Sequence, residues 1–379
     1  MTSLEKYLQT QTKSFSEEPF NCVDSLILNT LCYLNFEEYP YIKQLKEPCA
    51  PLIDILRFTP FEKAVSSSFL KKGQDVEPFL HGVATNYRYH DLTVHHYVNE
   101  YSEYIDRQFS AVTFTAEGMP AYIAFRGTDG TVVGWKEDFK LSYKEILPSH
   151  QSALRYLSGI ASYLPPDEKI NLGGHSKGGN LAEYAAAVIH KDVYNRIEGI
   201  YNNDGPGFLE DPSPRYNEPD YIAKQHKYLP ESSLFGMIMQ NSDRYKVVKS
   251  DATSLLQHRP LTWVIEGNDF AYKEDLNDSA KLFDKTFDTW MKSATPKQRE
   301  VFLDTIFDLI ATTEAKSWAS FQKNFVSNMT TVLANAQEID PETKTMMKEV
   351  IARLGRILAQ NSTQYVTERA IKFFENNPK

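Results

Sequence analysis

The stretch NLGGHSKGGNL, Asn171 to Leu181, holds a lone serine, Ser176, between two glycine pairs. Gly174-His175-Ser176-Lys177-Gly178 fits G-x-S-x-G, the pattern of a serine held on a sharp strand-to-helix turn. Such a turn crowds the backbone, so the positions on either side must be small. The helix that starts behind the serine directs its free N–H groups at the turn and favours developing negative charge there. The flanks agree with this reading. KINLG before the serine is short and strand-like, and GGNLAEYAAAVIH after it is a helix whose Ala182, Ala185 and Ala186 allow close approach to a sheet. The phosphate-loop pattern G-x-x-x-x-G-K-[ST] is absent.

Working outward, SAVTFTA and AYIAF, joined by Glu117-Gly118-Met119-Pro120, predict a β-hairpin. SALRYLSGIASYL reads as a helix, RIEGIYNN and YKVVKS as strands, and TWVIEG as a further strand-like run. Strands that alternate with helical patterns imply an α/β protein with a mostly parallel central sheet flanked by helices. VDSLILNTLCYLNF spaces Leu26, Ile27, Leu31 and Leu34 for an N-terminal helical segment. After Phe270 the pattern turns helical. Thr295-Pro296-Lys297-Gln298 is a capping signature ahead of a stripe of Leu303, Ile306, Phe307 and Ile310. Asp340-Pro341 opens a second stripe through Met347, Val350, Ile351, Leu354, Ile357 and Leu358. The expected division is an N-terminal helical segment over 1–75, a catalytic core over 76–270 and a helical appendage over 271–379. The two stripes are read as packing faces against the core or as a homodimer surface.

A formal charge of −9 and a pI of about 5.6 exclude a nucleic-acid partner, because phosphate neutralisation needs a basic surface. The N-terminus lacks a basic region followed by an apolar core, and no apolar run is long enough to span a membrane. Cys22, Cys32 and Cys49 have no metal or redox spacing and are expected as buried, reduced thiols of a cytoplasmic protein. His90, His95 and His96 lack matching carboxylates and read as packing or surface residues, so no metal or cofactor is called for.

A nucleophilic serine needs a general base, and the base needs a carboxylate to orient it. In the α/β-hydrolase fold that an elbow serine implies, the chain order is serine, acid, histidine. Three histidines follow Ser176: His190, His226 and His258. His190 ends the helix behind the elbow, and His226 lies in PDYIAKQHKYLP, read as a loop suited to a lid. His258, in SLLQHRPLTW between two strand-like runs, has the best position. For the acid, Asp204 in IYNNDGPGF follows a strand at the end where ligands bind in such sheets. Asp251 is its rival and Asp243 a weaker one; position favours Asp204. Oxyanion donors are expected from the backbone N–H of Lys177 and from Thr128 in FRGTD, after the strand AYIAF. The Lys177 ammonium is read as a cation on the pocket rim, and His175 as a structural residue that orients the elbow. Trp135, Glu137 and Asp138 of GWKEDF are read as braces for the oxyanion loop.

FRGTD, GWKEDF, GHSKGGNLAEYAA, NNDGPGF and QHRPLTW, in that order, resemble the Mbeg1-like proteins of the α/β-hydrolase superfamily. The FRGT and GHSxGG pair is similar to class 3 lipases as well. By position, Ser176 matches the lipase nucleophile and Thr128 the oxyanion residue. Asp204 matches the acid of pancreatic-type lipases, whereas class 3 lipases place it nearer Asp251. Arg259 departs from the family's QHDP and changes the charge beside the base. The resemblance implies a serine hydrolase of lipid or other acyl esters, working without a cofactor. Amide cleavage or acyl transfer uses the same residues, and a catalytically silent binding protein on this fold is the contrasting expectation.

Overall fold

A computed structural model describes residues 2–39, 49–65, 75–102, 107–128, 146–233, 235–239 and 242–295, with a few shorter stretches. Nine strands form one sheet. In spatial order they are β1 (Cys49–Pro51), β2 (Thr93–Ser102), β3 (Arg107–Thr115), β4 (Ala121–Phe125), β5 (Ile170–His175), β6 (Ile197–Asn203), β7 (Gln225–Pro230), β8 (Lys246–Val248) and, at the far edge, a strand over Tyr272–Lys273. The strands from β4 to β8 run parallel and both edges are antiparallel. The fold is α/β and resembles an α/β hydrolase. The expected hairpin is β3–β4, with Ala111 opposite Phe125.

Helices cover both faces of the sheet. On one face lie α1 (Ser3–Thr10), α2 (Cys22–Leu31) and α3 (Val76–Thr85), whose Leu4, Leu8, Leu26, Leu28 and Phe79 share a core with Val112, Phe114 and Tyr122 of the sheet. On the other lie α4 (Pro148–Tyr163) and α5 (Lys177–Val188). Leu157, Leu181, Ala182, Ala185 and Ala186 pack there on Ile123, Phe125 and Leu172. The alanine run of α5 therefore does what its small side chains permit and lies close on the sheet. A further helix, α6 (Asp278–Ser293), is capped by Asn277, and its Ala280 packs with Leu229 and Val247.

The α1–α3 layer is stitched by a buried ion pair. Arg88 reaches Asp24 with Nε at 2.8 Å and Nη2 at 2.7 Å, and the hydroxyl of Tyr89 donates to the same carboxylate at 2.7 Å. The remaining guanidinium hydrogens go to the carbonyls of Lys13, Ser14, Glu18 and Pro19, and the group stacks over Phe15. Asp24 also completes the capping box of α2 through the Asn21 N–H.

Three expectations change. PDYIAKQHKYLP is a short helix followed by β7, with the His226 ring stacked on Tyr201 in the sheet, rather than a loop. His190 stands beyond the helix behind the elbow and caps the next one, over Lys191–Tyr194. Cys49 is exposed, while Cys22 and Cys32 are buried. The capping box at Thr295 forms, with Gln298 donating to the Thr295 hydroxyl and accepting from its N–H. The two C-terminal stripes and GWKEDF lie outside the described residues.

Candidate active site

The elbow is built as its sequence requires. Ser176 follows the last residue of β5 and has φ +58° and ψ −132°, a left-handed conformation that L-residues rarely hold. Its N–H donates to the Asn203 carbonyl of β6 at 2.9 Å, and its own carbonyl accepts from Gly179 at 2.9 Å as the helix begins. Its hydroxyl does not cap that helix. The two motif glycines have no alternative. A β-carbon on Gly174 would meet the Gly178 carbonyl carbon at 2.1 Å, and one on Gly178 would meet the Phe125 carbonyl oxygen at 2.0 Å.

Asp204 leaves β6 in the same way. His175 pairs with Asn203 across the parallel ladder, so Ser176 and Asp204 are the next residues out of two neighbouring strands. Asp204 also has positive φ, +54°, and its N–H donates to the Tyr228 carbonyl of β7 at 2.9 Å. Two adjacent strand exits, each with positive φ, place Ser176 and Asp204 side by side at the carboxyl ends of the central strands. Asp204 is fully buried, and three donors converge on its carboxylate. His258 Nδ1–H donates to Oδ2 at 2.6 Å, while the Ser233 hydroxyl and the Gly236 N–H, the latter at 3.2 Å, donate to Oδ1. These donors replace the water that burial takes from the carboxylate oxygens. With its Nδ1 proton committed to Asp204, His258 keeps Nε2 as a proton acceptor.

His258 ends a short 3-10 turn over Ser254–His258, and the Phe235 ring packs 4.3 Å from its imidazole. Asp251 is exposed and its N–H is engaged by the Thr262 carbonyl; Asp243 is exposed too. The carboxylate that meets His258 is that of Asp204. Arg259, the departure from the family pattern, turns its charge on Asp75, with Nη2 at 2.7 Å from Oδ1.

His175, beside Ser176, is wholly buried. Its Nε2 lies 2.7 Å from the His258 carbonyl and its Nδ1 3.0 Å from the Tyr33 hydroxyl. Burial holds its basicity well below the ordinary histidine value, so the ring stays neutral. A carbonyl oxygen can only accept, so Nε2 carries the proton and Nδ1 accepts from Tyr33.

Thr128 stands half-buried, three residues past β4, on the loop that also carries Gly127. That loop is pinned by the Arg126 N–H, which donates to the Ser110 carbonyl at 2.9 Å, and it runs against the elbow: a β-carbon on Gly127 would lie 3.1 Å from that of Ser176. Lys177 is the first residue of α5, so its N–H belongs to the first turn of the helix. Its ammonium does not line a pocket rim. The side chain is buried and donates to the Gln108 carbonyl at 3.1 Å and to Gln108 Oε1 at 3.2 Å, because the elbow turns it toward β3.

The sequence reading did not single out His150, Ser233, Gly236 or Tyr33. His150 Nδ1 accepts from the Leu147 N–H, and its Nε2–H donates to Asn180 Oδ1 at 2.8 Å. Asn180 in turn donates to the Gly207 carbonyl at 2.8 Å, which ties the turn after Asp204 to α4 and α5. Ser233 and Gly236 lie in ESSLFG, whose small polar residues signal only a turn. Tyr33 carries no signal at all, since it stands 142 residues from the histidine it contacts.

No curated protein and no solved structure matches the chain. Residues 83–308, more than half of the chain, match the Mbeg1-like family, and this segment contains FRGTD, the elbow, Asp204 and QHRP. The chain belongs to the Mbeg1-like family.

Proposed function

We propose that the protein is a serine hydrolase of carboxylic esters, acyl lipids or other acyl esters, acting through an acyl-enzyme. The observation that carries this reading is the 2.6 Å pair between His258 Nδ1 and the buried Asp204 carboxylate, formed beside a serine whose backbone is held left-handed at the next strand exit. In the proposed cycle Ser176 Oγ attacks the ester carbonyl carbon and its proton passes to His258 Nε2. Asp204 holds the imidazole tautomer and stabilises the imidazolium. The carbonyl oxygen, now negative, is received by the Lys177 N–H at the helix start and by Thr128. Collapse of this intermediate expels the alcohol, which takes the proton from His258. Water then attacks the acyl-enzyme with His258 again as base, releasing the carboxylic acid and restoring Ser176. Every catalytic group in the cycle is a side chain or backbone amide of this chain; the ester and the attacking water are its reactants.

The test is covalent labelling with a fluorophosphonate, which reports an activated serine without knowledge of the substrate. The folded parent chain should label and Ser176→Ala should not. A folded parent that neither labels nor hydrolyses a chain-length series of p-nitrophenyl esters would sink the reading and leave a binding protein on a hydrolase fold.

A further inference from the structure

We propose that Tyr33 and His175 are positioning residues that lock the turn bearing His258 to the nucleophile elbow through the His258 backbone; this rests on the functional reading of Ser176, Asp204 and His258 above. The Asp204 carboxylate holds the base by its ring, at Nδ1. His175 holds it by its main chain, donating from Nε2 to the His258 carbonyl at 2.7 Å. A histidine fixed at both its carbonyl and its Nδ1 has little freedom left to move Nε2. Because His175 immediately precedes Ser176, nucleophile and base are referred to the same two residues at the end of β5.

The direction of that second bond depends on Tyr33. Its O–H donates to His175 Nδ1 at 3.0 Å and so keeps the His175 proton on Nε2, facing the carbonyl. With Nδ1 unpaired, the other tautomer would turn a lone pair toward that carbonyl and repel it. The same hydroxyl occupies the space beside Gly127, where a β-carbon would come within 2.2 Å of it and within 2.6 Å of the His175 carbonyl. One phenol on the turn after α2 thus touches the oxyanion loop and the elbow directly, and reaches the base through one imidazole. It lies outside residues 83–308, so the N-terminal layer supplies a part of the site that the matched segment lacks.

The experiment compares full-length Tyr33→Phe, His175→Leu and His175→Gln with the parent, with rates expressed per active site titrated by fluorophosphonate. Tyr33→Phe should lower kcat roughly ten- to a hundredfold, the cost of slight misplacement of a reacting group. KM should stay within about twofold, because no binding contact is removed. His175→Gln, whose amide keeps a donor near the Nε2 position, should retain more activity per site than His175→Leu. A second readout needs no substrate: the downfield proton resonance of the His258–Asp204 pair, assigned by its loss in Asp204→Asn, should broaden in Tyr33→Phe as the pair opens to water. A merely structural role would lower only the melting temperature and the titratable fraction. Parent-like per-site rates and an unchanged resonance in Tyr33→Phe therefore overturn the proposal. If the parent neither labels nor turns over, the esterase reading fails, and the resonance alone decides the positioning role.

Discussion

At the scale of single residues, the choice between Asp204 and Asp251 has a sharp consequence. Asp204 is buried and bonded to the His258 ring, whereas Asp251 is exposed. Asp204→Asn should lower turnover by about 10⁴-fold, because the amide cannot hold the tautomer in which Nε2 is the proton acceptor. Asp251→Asn should leave turnover near that of the parent, with kcat of the two purified variants as the measurement. Loss of activity in Asp251→Asn alone would reverse the assignment. Ser176 and Asp204 also share a positive φ, which costs L-residues about 1–3 kcal/mol each. The strand ladders, the helix start and the Tyr228 carbonyl hold both in place.

At the scale of elements, the N-terminal layer depends on one ion pair. Both side chains of Arg88 and Asp24 are fully buried, so neither can fall back on water if its partner is lost. Arg88→Met should cost roughly 3–5 kcal/mol in urea unfolding, since it strands the Asp24 carboxylate inside the layer. Replacing both partners with apolar residues of similar volume should cost less than the single change, because no unpaired charge then remains. A single variant of parent stability would mean that the network of carbonyls around Arg88 contributes nothing. The same layer carries Tyr33, so a weakened α2 should also lower the titratable fraction of Ser176.

At the scale of the whole molecule, three histidines share one electrostatic fate. His175, His95 and His226 are all pushed below the ordinary histidine value of 6.5, first of all by burial. The unfolded chain takes up protons on them near that pH while the folded chain does not. Below about pH 6.5 the unfolded state therefore binds more protons, and stability falls as pH drops. For the fully buried His175 the slope approaches at most about 1.4 kcal/mol per pH unit. Urea melts between pH 7 and pH 5 should show this decline, with a shallower slope in His175→Gln. A flat profile in the parent would mean that His175 charges without opening the fold. Among the described residues no helix is long and apolar enough to cross a membrane.

Local chemistry is what the sequence determined by itself. The elbow, the β3–β4 hairpin, the alanine-rich helix and the Thr295 cap are written in residues a few positions apart, and turn sterics and hydrophobic period act at that range. Position in the sequence only favoured Asp204 over Asp251; tertiary structure decided which carboxylate meets His258. That pair spans 54 positions, and its formation depends on β6 lying beside β5 while the turn at His258 folds back over both. β7 escaped the sequence because its polar His226 and Lys227 look solvated; stacking on Tyr201 and burial in the sheet override that pattern. The inward course of the Lys177 ammonium and the reach of Tyr33 to His175 were hidden likewise. A side chain's direction at a strained turn, and its partner in another layer, are fixed by packing that no local pattern encodes.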